Sequence, residues 1–116
     1  MARKNVLYQF KMFDAESLSA SATSEPTNVA NVDYCSIHVE WTGTSPLGTM
    51  TVEVRNGDKD TWYALDFGAT IAISGNTGDH QIVLTQMGFT DVRLQYARSS
   101  GVGSITATIT TKQAGG

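Results

Sequence analysis

Short runs in which apolar and polar residues alternate one for one recur along the chain, and they confine it to β-strands. In Ser36 to Trp41, Ile37, Val39 and Trp41 alternate with Ser36, His38 and Glu40. In Thr49 to Arg55, Met50, Val52 and Val54 alternate with Thr49, Thr51, Glu53 and Arg55. The clearest case is Ser104 to Thr111, with Ile105, Ala107 and Ile109 on one side and Ser104, Thr106, Thr108 and Thr110 on the other. A two-residue period gives a strand one buried and one wet face. No stretch carries the apolar stripe of an amphipathic helix.

Turn chemistry punctuates these runs. Tyr34 to Phe67 reads as a meander of three strands, with a first reversal at Gly43–Gly48 and a second beginning at Asn56-Gly57, a dipeptide suited to positive φ. Further strands are expected at Thr70–Ser74, His80–Leu84 and Val92–Ala97, with reversals at Gly75–Asp79 and Arg98–Gly103. Seven to eight short strands at regular spacing predict an all-β fold: a single antiparallel two-sheet β-sandwich, either jelly-roll or immunoglobulin-like. Trp41, Trp62, Leu65, Ile82, Leu94 and Ile109 are the expected core anchors. Cys35 is the one cysteine, which excludes the disulfide of an immunoglobulin domain and gives no sign of an oxidising compartment.

The 116 residues make one domain. We divide it into an N-terminal arm or first strand over 1–16, the sandwich over 17–113 and a flexible tail over 114–116. Val6 to Phe13 is apolar enough for a strand, but its alternation is imperfect, so Ala2–Ala15 is expected to leave the sandwich and pair with another subunit. Ser17–Ala22 reads as an edge strand; a helix over Asp14–Ala22 competes but has no apolar face.

Charge narrows the function classes. A formal charge of −3 and a pI near 5.1 argue against a sequence-independent nucleic-acid binder, which needs a basic face. Arg3, Lys4 and Lys11 place three of the eight cations near the N-terminus. A solubilising terminus accounts for this more simply than an arm meeting an acidic neighbour. No apolar run approaches the ~20 residues of a membrane span, and no signal-peptide h-region is visible.

No residue constellation announces catalysis. The histidines, His38 and His80, fall on strands, and no G-x-S-x-G elbow accompanies the many serines. Asp58-Lys59-Asp60 resembles only the start of a calcium loop, and Ser99–Gly103 lacks the Lys-Ser/Thr ending of a phosphate loop. We therefore expect no enzyme, cofactor or metal. Trp62 and Tyr63 are adjacent on a strand and must face opposite ways, which exposes one of them as an interface anchor or, second, as a sugar-stacking platform.

Three stretches together resemble a group of small virion proteins of tailed bacteriophages. The residues that carry the resemblance are Pro26-Thr27-Asn28, Trp41-Thr42-Gly43, Pro46, Gly48-Thr49, Val52, Val54, Asn56, Trp62, Arg93, Tyr96, Arg98, Gly101 and Gly103. The resemblance implies a non-enzymatic structural subunit, present in many copies in the virion and assembled in the host cytoplasm. A capsid decoration or cement protein is the leading expectation; a tail or baseplate subunit and a carbohydrate-binding module are the alternatives. Expected partners are the major capsid or tail protein, further copies of the chain and, in the alternative, a host glycan, with no nucleic acid and no membrane. The candidate partner-binding residues are Arg3, Lys4, Tyr8, Phe10, Trp62, Tyr63, Arg93 and Arg98, the last two toward an acidic neighbour.

Overall fold

A computed structural model describes residues 5–30, 32, 34–57, 61–65, 71–84 and 89–114. All its regular elements are antiparallel strands: β1 (Asn5–Ser17), β2 (Ala22–Thr23), β3 (Thr27–Asn28), β4 (Tyr34–Arg55), β5 (Tyr63–Ala64), β6 (Ile71–Ser74), β7 (Thr77–Leu84) and β8 (Asp91–Ala114). β4 and β8 are the frame, paired with each other from Tyr34↔Lys112 to Arg55↔Asp91. β1 flanks the second half of β8 and β7 the first half of β4, giving one half-sheet of order β1–β8–β4–β7. β2 and β3 flank the first half of β8, while β6 and β5 flank the second half of β4.

The predicted alternation sets the faces. Ile37, Val39, Ile105, Ala107 and Ile109 in the first half-sheet, and Val52, Val92, Leu94 and Tyr96 in the second, are fully buried in one cluster. With no helix among the described residues to cover that face, the sheet covers itself, and the two halves fold together as the layers of a sandwich. The layers are one continuous sheet because β4 and β8 run through both.

The bend between the halves accounts for three mistaken reversals. Gly43–Gly48, Gly75–Asp79 and Arg98–Gly103 do not turn the chain back. β4 passes its segment with register slips between Thr44 and Leu47 and between Leu47 and Gly48, still paired to β8. β6 and β7 likewise run on in one direction along β4. Gly43 lies opposite Gly103, so close that a β-carbon on either would strike the facing backbone. Gly101 has φ 79°, and the Ser45 carbonyl fills the space a side chain would need. A corner across a sheet and a reversal within it both need positive φ and close backbone approach, so their sequence signals coincide. Asn76 ties the corner by accepting from the Gly43 amide on its carbonyl and from the Ser45 amide on its Oδ1, both at 2.8 Å. The reversal after Asn56-Gly57 is real: Gly57 has φ 58°, and Tyr63–Ala64 pair back onto Glu53–Val54.

The expectation of an N-terminal arm that leaves the sandwich is corrected. Over its described part the segment does not leave the sandwich: Asn5 to Ser17 pair with β8 of the same chain, from Asn5↔Ala114 to Ser17↔Ser104. Its imperfect alternation comes from register shifts between Lys11 and Phe13 and between Phe13 and Glu16, which let the consecutive Met12 and Phe13 both enter the core. Ala15, at φ 52°, belongs to the same irregular stretch. The helix alternative fails as well. The strand continues to Ser17, and Leu18 is buried with its amide donating to the Gly103 carbonyl at 2.8 Å.

Candidate interaction surfaces

Antiparallel register builds a polar cluster on the outer face of the second half-sheet. Glu53 and Arg55 are two apart on β4, Asp91 and Arg93 two apart on β8, and pairing sets Glu53 opposite Arg93 and Arg55 opposite Asp91. Arg93 Nε donates to Glu53 Oε1 at 2.8 Å, and Arg55 Nε donates to Asp91 Oδ2 at 3.1 Å. Trp62 completes the cluster, its ring centroid 4.2 Å from the Arg93 guanidinium carbon and 4.7 Å from that of Arg55. Such cation–π contacts hold an aromatic on a charged surface. Trp62 is thus an outer-face residue and not the core anchor expected of it, because its β5 neighbour Tyr63 takes the register position opposite Val54. The hairpin is pinned further by Thr90, whose Oγ1 accepts from the Gly57 amide at 2.8 Å.

Glu53, Arg55 and Asp91 were not among the candidate residues. Their signal was present as an acid-x-Arg spacing on two alternating strands, which pairs favourably only in an antiparallel register. Tyr63 is 64% exposed, as expected of one member of the Trp62–Tyr63 pair.

A second surface is the edge of the first half-sheet. Tyr8 and Phe10 lie opposite Thr111 and Ile109, so they share the core-facing row, yet each is 51% exposed. They stand at the rim of the core. Arg3 and Lys4 lie outside the described residues, as does the Asp58–Asp60 segment.

A third region is a shallow depression of about 590 Å³ lined by Glu40, Thr42, Thr77, Asp79, Ser104 and Thr106, with Trp41 and Gly78 completing the lining. Glu40 lies directly opposite Asp79. His38 adjoins it, Nδ1 3.1 Å from Gln81 Oε1 and Nε2 3.9 Å from Glu40 Oε2. The lining offers hydrogen-bonding oxygens in an open, polar setting. Among the described residues, no three His, Cys, Asp or Glu side chains stand together as metal ligands would.

The remaining candidate, Arg98, sits at the corner with its Nε donating to the Gly101 carbonyl at 3.0 Å. Tyr96, two residues before it, is fully buried and donates its hydroxyl to the Leu47 carbonyl at 3.3 Å. Loss of solvent raises the Tyr96 pKa, with Arg98 pulling the other way. Burial also pushes the Cys35 thiol up to about 11, so it is a protonated, unreactive core group at neutral pH. The six described candidates therefore do not form one site: Tyr8 and Phe10 mark the β1 edge, Trp62, Tyr63 and Arg93 the opposite layer, and Arg98 the corner between them.

No protein-family model and no curated protein matches the sequence. The fold does have counterparts among solved structures. The SPBc2 prophage-derived protein YomS superposes with a TM-score of 0.66 at 13% identity, over 97% of this chain and 98% of its own. A structure of infectious bursal disease virus Gx strain gives 0.59 at 13% identity, and the VP2 subviral particle of that virus 0.55 at 18%, each over 97% of this chain. The chain spans about a third of those two viral chains, 33% and 34% of their lengths. At these identities the likeness is one of fold: a small all-β sandwich architecture that a prophage-derived protein and a virus-particle protein share with this chain.

Proposed function

We propose that the protein is a non-enzymatic structural component of a tailed-phage virion, carried in many copies as a capsid decoration protein. The observation that carries this reading is the end-to-end match to a prophage-derived protein of the same size, 97% of one chain on 98% of the other. The pairing orders β1–β8–β4–β7 and β2/β3–β8–β4–β6/β5 are compatible with a jelly roll, an architecture recurrent in viral capsids, and this supports the reading. Many of the residues that carry the sequence resemblance gather at two places in the structure. Gly43, Pro46, Gly48, Tyr96, Arg98, Gly101 and Gly103 build the corner, and Trp62 and Arg93 build the outer-face cluster. A rigid small sandwich with an aromatic-bearing edge suits repeated docking on a shell, where modest contacts add over many copies.

The carbohydrate-binding alternative has less to stand on. Trp62 already has two guanidinium groups over its ring, which leaves Tyr63 as the exposed aromatic of the pair.

Quantitative mass spectrometry of purified particles tests the reading, with many copies per particle expected. Shells prepared without the protein should bind it saturably when it is added back. Absence from particles overturns the virion role, and saturable binding to isolated tails with none to shells replaces decoration by a tail role.

A further inference from the structure

We propose that two copies of this chain associate edge to edge through β1, pairing Asn5–Lys11 antiparallel with the same segment of the second copy. This goes beyond the virion role and holds for the isolated protein. Among the described residues nothing pairs with the edge of β1 that faces away from β8. Such an edge offers a row of backbone donors and acceptors, and the ligand that satisfies it is another extended strand.

The first half-sheet has two edges, and they are built differently. β7 carries Gly78 and Asp79, and it places His80 opposite Val39 in the core-facing row, where the imidazole is exposed. A polar group turned inward on an edge strand discourages pairing. The apolar members of the same row on β7, Ile82 and Leu84, are already buried. β1 has the opposite character over Asn5–Lys11: no proline, no acidic residue, no register shift, and in Tyr8 and Phe10 a core row that ends uncovered. Beyond Lys11 the two register shifts and the positive φ of Ala15 blunt the strand. Seven residues thus remain regular, about 23 Å of strand at ~3.3 Å per residue.

These limits select both the occupant and the register. Pairing β1 with β7 of another copy would lay an open apolar row against one already covered. Pairing β1 with β1 brings two open rows together, so each covers the other. Using all seven regular residues centres the two-fold axis on Tyr8, which then lies opposite Tyr8 of the second copy, with Phe10 opposite Val6 of that copy and Lys11 opposite Asn5. No like charges face each other across this pairing, and the arrangement is closed, giving a dimer and not a filament.

The test is sedimentation equilibrium of the full chain over a concentration series, with two variants. The wild type should show a reversible monomer–dimer equilibrium. Phe10→Lys, which puts a charge on the open row, should weaken dimerisation at least tenfold while leaving the far-UV circular dichroism unchanged. Tyr8→Cys in a Cys35→Ser background should oxidise to a covalent dimer, because directly opposed residues of an antiparallel pair lie ~4.5–5.5 Å apart, within disulfide reach. Asp79→Cys in the same background should not. A wild type monomeric throughout the series overturns the proposal, as does open-ended growth, crosslinking through position 79 in preference to 8, or a dimer indifferent to Phe10→Lys. Should Phe10→Lys fail to fold, the two cysteine variants decide alone.

Discussion

The two layers of the sandwich bury comparable cores and are held together by different means. The first is a backbone structure: β1 with 13 residues and β7 with eight flank the central pair in long ladders. The second is flanked by fragments, with β2, β3 and β5 of two residues each and β6 of four. Side chains supply what the ladders lack there. Arg93–Glu53 and Arg55–Asp91 cross the central strands and Trp62 fastens β5 over them. On the far side Ser24 accepts the Leu94 amide on its Oγ at 2.8 Å and returns its own amide to the Leu94 carbonyl at 2.8 Å. A layer whose edges are short strands depends on a few side chains, whereas a layer of long strands spreads the same task over many backbone bonds.

The largest effect should come from the core the layers share. Ile109→Ala in the first layer and Leu94→Ala in the second are each expected to cost about 2–5 kcal/mol in urea unfolding, because both side chains are fully buried and leave a cavity. Both should lower the single transition of the whole chain. Two separate transitions would break the view of the layers as one cooperative unit.

Next comes the corner. Gly101→Val must adopt a left-handed φ and displace the Ser45 carbonyl, for an expected loss of about 2–3 kcal/mol. The loss should appear equally in amide exchange on both sides of the bend.

Glu53→Gln separates the layers more sharply. It removes the carboxylate that accepts from Arg93 in a partly shielded pair, so about 1 kcal/mol is expected. Hydrogen exchange should accelerate at Asp91–Leu94 and Tyr63–Leu65 and stay unchanged along β1 and the second half of β8. Uniform acceleration would mean that the cluster supports the whole fold and not one layer.

The smallest effect is confined to alkaline pH. The Cys35 thiol titrates near 11 in the folded chain against an ordinary value of 9.0, so folding favours the protonated form. Its contribution is fully present below pH 9 and is lost as pH rises toward 11, because the unfolded chain releases the proton first. The wild type should therefore lose stability more steeply over that interval than Cys35→Ala. Parallel pH profiles would show that the thiol has the same pKa in both states.

Which of these features could be read in advance follows from the range of the interactions. The faces of β4 and β8 were legible because Ile37, Val39, Val52, Leu94, Ile105 and Ile109 repeat at period two. The opposed directions of Trp62 and Tyr63 were legible for the same reason. The outer-face cluster was half legible, in the acid-x-Arg spacing of Glu53–Arg55 and Asp91–Arg93. Its meaning appears only when β4 and β8 are set side by side. The size of Trp62 argues for burial in the core, but its register places it over two arginines on the outer face.

The sequence by itself determined the strand class, the inward and outward sets of residues and the reversal that follows Asn56-Gly57. These depend on local geometry and on the alternation of polarity. Only the tertiary structure decided that Gly43–Gly48, Gly75–Asp79 and Arg98–Gly103 lie side by side in one bend, and that Asn5–Ser17 completes its own sheet. Glycine and proline report that the backbone must deviate, but the direction of the deviation is set by the strand alongside. For β4 that strand is β8, whose pairing continues through the corner and carries both strands into the facing layer.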